Sequence, residues 1–359
     1  MIKTTSLAAV LSAVLAASFP CVAEDETPPA LKGLDPVELT RGKETPGDPA
    51  IDVVHGRFRY AFASEKNRSL FESTPERFRI QMGGGCGRMG PLSGKGSPDR
   101  FAVHDGLIYI FASESCRTNF LKDPAAHIDR NDPLPEGKKT AKERGGALVE
   151  RAVKAAGGAQ AIDAAKTYVE RRERTVESGD ETQVNVRRLL IAYPDKVRAE
   201  DAWNDRLWTF VAAGGDGFLA GPERVEPMDE SQVAFLRREA HRSLVSILKA
   251  RKRSDFVAVA IDEEGDAKIA RVAVAFDGTT TTLGIDRDSG RIVTASWRGR
   301  AGAGHLGAMA ASYSDFRNAG ALVLPAARDV TFEGRRVDAL SGTFEISVDA
   351  ALEPALFAR

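Results

Sequence analysis

One stretch of this chain is written twice. Val54-His55 recurs as Val103-His104, Phe62-Ala63-Ser64-Glu65 as Phe111-Ala112-Ser113-Glu114, Phe71 as Phe120 and Pro75 as Pro124. Each pair is 49 positions apart, without drift. An internal repeat constrains a fold more than any single motif, because each copy must adopt the same supersecondary unit. Two copies are too few for a solenoid, so the repeat predicts two small hairpin-plus-helix units packed on each other. The copies differ where chemistry would sit: Asn67 in the first stands where Cys116 stands in the second.

The 359 residues allow about two domains. A hydrophobic content of 43% suffices for sizeable cores, and a formal net charge of −1 removes any global argument for nucleic acid or an anionic membrane. Lys3, an apolar run over 7–19, Pro20-Cys21-Val22-Ala23 and acidic Glu24-Asp25 read as a secretory signal peptide, residues 1–23, cleaved near Ala23. Phe19-Pro20 differs from the small-residue pair that precedes a lipidated cysteine, so anchoring at Cys21 is not expected. The apolar run is too short for a membrane span, and no transmembrane segment is expected. The expected location is periplasmic or secreted.

Residues 24–50 read as a flexible lead-in and the start of the first unit, 51–128 hold the repeat, and polar, proline-containing 129–147 read as a linker. From 148 the pattern changes. Residues 148–165 have helical spacing, interrupted by Gly157-Gly158. Strand candidates follow at 167–175, 183–192, 196–201, 206–212, 256–261, 267–276, 279–285, 292–295, 308–316, 328–332 and 342–348. Many short strands divided by Gly, Asp or Asn predict a large antiparallel sheet, curved or closed. Residues 233–252 break the series: Val233, Leu236, Ala240, Leu244, Ile247 and Leu248 form one stripe of an amphipathic helix, a candidate lid laid against the sheet.

Two families share these patterns. Gly33-Leu34-Asp35-Pro36-Val37, Tyr60-Ala61-Phe62-Ala63-Ser64 with Phe71 and Pro75, Gly83-Gly84-Gly85-Cys86 and Asp105-Gly106-Leu107-Ile108-Tyr109 are the carrying residues of the first. On them, residues 33–128 resemble the YHS domain, a small metal-associated module, and above all its secreted or periplasmic members. The metal-binding branch has cysteines where this chain has Glu38, Ala63 and Asn67, so the resemblance implies the fold more than the metal. The helix ending in Gly157-Gly158, Tyr193-Pro194-Asp195-Lys196-Val197-Arg198, Ile285-Asp286 with Gly290, and Ser314-Asp315-Phe316-Arg317 with Leu324-Pro325 carry the second. Residues 148–357 resemble the LolA-like, outer-membrane lipoprotein-sorting superfamily. The resemblance implies an unclosed β-barrel with helices over its mouth, holding an acyl chain or other apolar ligand. The fold class is therefore α+β: a duplicated YHS-like module, then an antiparallel open β-barrel (148–359) with covering helices.

Cys86 and Cys116 are the first candidates for chemistry. Two thiols in a secreted chain form a disulfide by default, closing a loop of about 30 residues for roughly 3–4 kcal/mol. With Met82, Met89 and His104 they could instead supply soft ligands for copper, or hold zinc. Free, redox-active thiols are the third reading. His55 and His104 occupy equivalent positions before a glycine and read as turn residues packed on the neighbouring unit. Gly83 to Gly87 lack the Lys-Ser/Thr of a phosphate loop and read as a tight turn. Gly214-Gly215-Asp216-Gly217 reads as a hairpin turn. The aromatics around it, Trp203, Trp208, Phe210 and Phe218, join Leu236 and Leu244 as candidate cavity lining. Asp315 and Arg317 share a strand face and read as an ion pair.

No catalytic motif is recognisable, so a non-enzymatic role is expected. Carriage of a lipid or other apolar small molecule is the leading expectation. The alternatives are a metal or redox function of the first module, or a structural envelope protein with a protein partner there.

Overall fold

The computed structural model describes residues 30–178, 181–223, 225–261, 268–302 and 304–359. The signal-peptide reading, Cys21 and the start of the strand expected at 267 lie outside the described residues.

The repeat is visible as geometry. A short helix α1 (Pro36–Thr40) leads into β1 (Asp48–His55), β2 (Phe58–Phe62), α2 (Glu65–Ser73) and α3 (Pro75–Phe78). The second copy follows as β3 (Ser97–His104), β4 (Leu107–Phe111) and α4 (Glu114–Lys122). Both hairpins carry the same register shift, between Asp48 and Asp52 and between Ser97 and Phe101. Both helices start on a serine cap, Ser64 accepting from Asn67 N–H and Ser113 from Cys116 N–H. Phe71 and Phe120 are buried at the centres of the two units, and Ile108 and Ile110 of β4 join the core of the first. The His55 and His104 rings stand edge-on to Phe71 and Phe120, centroids 5.7 and 6.1 Å apart. Each thus packs on its own unit and not on its neighbour, because the end of each first strand crosses the helix of the same copy.

Residues 129–147 are not a free tether. Asp132 accepts from Thr280 N–H, and Thr280 Oγ1 donates to Pro133 O. Regular helix begins at once afterwards, in α5 (Lys139–Ala155), whose Gly145 lies so close to Ala258 that a Cβ would meet its carbonyl oxygen at 2.6 Å. A second helix, α6 (Ala159–Ala164), follows the predicted Gly157-Gly158 break.

Nearly all the rest is antiparallel sheet. One sheet contains β5 (Thr167–Ser178), β6 (Glu181–Ala192), β7 (Lys196–Trp203), β8 (Arg206–Ala213), β9 (Asp216–Ala220) and β10 (Val225–Pro227). After α7 (Glu230–His241) and α8 (Leu244–Ala250), the second sheet contains β11 (Val257–Ile261), β12 (Ile269–Phe276), β13 (Thr279–Asp286), β14 (Ile292–Gly299), β15 (Gly307–Ala319), β16 (Leu322–Phe332) and β17 (Arg335–Arg336). The Asp277-Gly278 hairpin has φ of +49° and +69°, the double left-handed turn that an Asp-Gly pair permits and that matches strand twist. Beyond it, β18 (Gly342–Thr343) pairs with β16 and β19 (Glu345–Val348) pairs with β5, so one segment ties the sheets together along that side. Among the described residues, the opposite end strands β10 and β11 pair only with β9 and β12. The fold is α+β, with sheets that are mostly antiparallel and do not close.

The helix expected over 233–252 is two. Ser243 breaks it and caps α8, its Oγ accepting from Ser246 N–H. The second half, α8, is not a lid. Val245, Ile247 and Leu248 are at most 1% exposed, because α8 lies between the two sheets and joins their facing residues in one core. Among the described residues no helix is long and apolar enough to cross a membrane.

Candidate ligand-binding site

Strand alternation decides what faces the space between the sheets. Along β5 the inward residues are Tyr168, Glu170 and Arg172, opposite Ile191, Leu189 and Arg187 of β6. The same rows continue through Val197, Ala199 and Asp201 to Ala212, Phe210 and Trp208. The row containing Tyr168 is apolar, the next is mixed, and the row containing Arg172 is largely polar. The second sheet answers with Trp297, Met309, Ala311, Tyr313, Arg328 and Val330. Helix α8 fills the apolar end. What remains is a cavity of about 390 Å³, bounded also by Leu236 and Glu239 of α7. A second cavity, about 610 Å³, shares Asp201 and Phe210 with the first. Both volumes lie within the roughly 300–1,000 Å³ of small-molecule sites.

Most charges in the first cavity are matched. Arg328 donates to Glu170 at 2.7 and 3.1 Å, and Tyr168 OH donates to the same carboxylate at 3.0 Å. Arg187 is 2.8 Å from Asp201, Arg188 is 3.1 Å from Glu200, and Arg242 pairs with Glu239. Among the described residues, Arg172 and Arg300 have no carboxylate partner. Arg172 is 5% exposed; its Nη1 donates to Ser341 O at 2.8 Å, and its Nη2 has no partner. Burial, then the charges of Arg174, Arg328 and Arg187, push its pKa down to about 10. Arg300 donates to the carbonyls of Arg88, Gly304 and His127, leaving only Nε without a partner. Burial pushes it down to about 10 as well.

The 610 Å³ cavity lies between the repeat module and the first sheet. Trp203, Trp208 and Leu219 line one side, Gly83, Gly84, Pro91 and Leu92 the other. Gln232 Nε2 donates to Pro91 O at 2.8 Å, while its Oε1 closes a capping box on Asp229. Ion pairs Arg79–Asp229, Lys95–Glu226 and Arg238–Asp129 fasten the same face. Gly83 sits at φ +57° against Gln232, where a Cβ would meet Oε1 at 2.2 Å. The glycine run is therefore a close-approach turn, as its composition predicts.

Of the aromatic candidates, Trp203, Trp208 and Phe210 line the larger cavity, and Phe210 and Leu236 the smaller. Phe218 lies elsewhere: it pairs with Val211 on the outward face and packs with Leu190 and Phe357. Leu244 packs in the main core beside voids of about 30 and 20 Å³. The wall arginines were not anticipated from the sequence. Their signal was a strand whose buried face alternates Tyr168, Glu170, Arg172.

Cys86 and Cys116 are free, buried and adjacent, within one cluster with Met82 and Met89. Burial pushes the Cys86 thiol up, although N–H groups of Ala112, Arg88 and Met89 oppose it. For Cys116 burial also pushes up, but hydrogen bonds to Ser113, Cys86 and Arg88 and the Arg88 charge outweigh it and hold the thiol below its usual value. A guanidinium at Cys116 opposes a second cation there. His104 turns toward Asp105 and Phe120, and among the described residues no three His, Cys, Asp or Glu groups are placed to hold a metal. Of the expected copper or zinc ligands, the four sulfur residues share one cluster, whereas His104 is engaged with Asp105 and Phe120. Asn67, at the repeat position of Cys116, donates instead to Asp35, which caps α1.

No family model and no curated protein matches the chain. Among solved structures it is similar to a DUF1329 family protein from Desulfovibrio piger (11% identity, TM-score 0.37). It is also similar to a putative outer membrane lipoprotein-sorting protein domain from Vibrio parahaemolyticus (13%, 0.35) and a LolA superfamily protein from Nitrosomonas europaea (13%, 0.38). Each match covers 60% of this chain and 97% of the other. None of these comparisons supports the YHS resemblance.

Proposed function

We propose that this chain is a non-catalytic binding protein of the periplasm or extracellular space that holds an apolar or amphipathic small molecule between its two sheets. The observation that carries this reading is the 390 Å³ cavity left between facing sheets after α8 has filled the rest. Its wall joins Leu189, Phe210, Leu236, Trp297, Met309 and Tyr313 to a charged rim. Burying a ligand's apolar surface there contributes roughly 25 cal/mol per Å², less the cost of ordering. The 610 Å³ space beside it, which shares Asp201 and Phe210 with it, receives the rest of the ligand or serves as the entrance. The repeat module builds one wall of that entrance and acts as a docked cover. The test is titration of the delipidated protein with a fluorescent fatty acyl probe while energy transfer from its tryptophans, Trp203, Trp208 and Trp297, to the probe is followed. Saturable uptake with one site per chain supports the reading, and linear, non-saturable partitioning rejects it.

A further inference from the structure

Resting on that reading, we infer that the bound molecule carries an anionic group and that Arg172 recognises it. A buried polar group without a partner is uncommon in a native structure and calls for a specific explanation. Arg172 is the extreme case on this wall: 95% buried by its 5% exposure, with an amino group, Nη2, that finds no acceptor among the described residues. Its cationic neighbours Arg187 and Arg328 each have a carboxylate, Asp201 and Glu170, so neither acid is left over for it. Arg300, the other wall arginine without a carboxylate, spends its amino groups on backbone carbonyls and offers only Nε.

Leaving a guanidinium uncompensated in a protein interior is costly, and the cost falls when an anion accepts from it. A planar guanidinium suits a carboxylate or phosphate oxygen better than any neutral acceptor. The placement also fixes orientation. Arg172 lies in the polar row of the first sheet, and the rows through Leu189 and Ile191 run from it toward α8. An amphiphile would set its head at Arg172 and its tail among Phe210, Trp297 and Met309. The ligand class is thus a single-chain amphiphile with a compact anionic head, in preference to a neutral lipid or a free anion.

The experiment is calorimetric titration of the full chain with dodecanoate, dodecyl phosphate, dodecanol, acetate and inorganic phosphate. The expected result is that dodecanoate or dodecyl phosphate binds at least tenfold tighter than dodecanol, a difference of about 1.4 kcal/mol. Acetate and inorganic phosphate are expected to bind more weakly still. In Arg172→Met the preference should fall below threefold with dodecanol affinity kept, and Arg172→Lys should retain most of it. Equal affinity for dodecanol and dodecanoate in the unaltered protein overturns the inference while leaving the carrier reading intact. Free phosphate binding as tightly as dodecyl phosphate overturns it in favour of a small-anion site. Failure of every chain-bearing compound to bind removes the carrier reading itself.

Discussion

Replacing Glu170 by Gln perturbs an ion pair that links the two sheets across the cavity. Glu170 on β5 accepts two hydrogen bonds from Arg328 on β16 and one from Tyr168. Breaking a buried pair by removing one charge costs about 3–5 kcal/mol, because the other charge stays behind. The two side chains are 24% and 13% exposed, so water screens part of this, and about 2–4 kcal/mol is the working figure. For a unit of this size each kcal/mol moves the melting temperature by about 2–4 °C, giving a fall of roughly 4–16 °C. Thermal unfolding followed by tryptophan fluorescence and calorimetry measures it. The double variant Glu170→Gln/Arg328→Met should recover more than half of the loss, since it removes the stranded charge. A single variant melting within about 2 °C of the parent, with no coupling beyond about 0.5 kcal/mol in the cycle, would refute the reasoning.

Other predictions follow from individual sites. Burial holds His241 near pKa 4, against 6.5 unfolded, despite Asp277; it therefore binds fewer protons when folded. Stability should be full above pH 6.5 and fall toward pH 4 by up to about 3 kcal/mol, and His241→Gln should flatten urea midpoints over that window. In the reduced native protein, iodoacetamide should modify Cys116 faster than Cys86, the order that peptide mapping would read; the reverse order contradicts the assigned environments. Gly83→Ala should loosen the repeat module from α7, lowering the melting temperature and speeding proteolysis between residues 129 and 138, with Gly56→Ala, also at positive φ but in open space, as the control for strain alone. Ala311→Met, which fills the smaller cavity, should weaken acyl-probe binding at least tenfold while the fold is retained.

The repeat was legible because its signal is exact identity at fixed spacing, and the caps Ser64 and Ser113 and the buried Phe71 and Phe120 come straight from it. The antiparallel sheets were legible in outline, since alternation and Asp-Gly turns are local signals. The division of 233–252 was not. Helical periodicity runs through Ser243, and only the serine's cap on α8 breaks it. Phe218 was assigned to a cavity because aromatic character does not say which face of a strand is inward; its pairing with Val211 does. The arginine wall went unread for a related reason. Charged residues on a buried strand face look like solvent-facing ones until the opposite sheet supplies Glu170's partner, Arg328, from 158 positions away.

Photolabelling tests the central claim most directly. A diazirine-bearing dodecanoate, irradiated with the full chain and mapped by peptide mass spectrometry, should label residues of β14, β15 and α7 around Trp297, Met309 and Leu236, and excess dodecanoate should abolish the labelling. Labels scattered over exposed apolar positions such as Val54, Leu134 and Val225, undiminished by competitor, would contradict it.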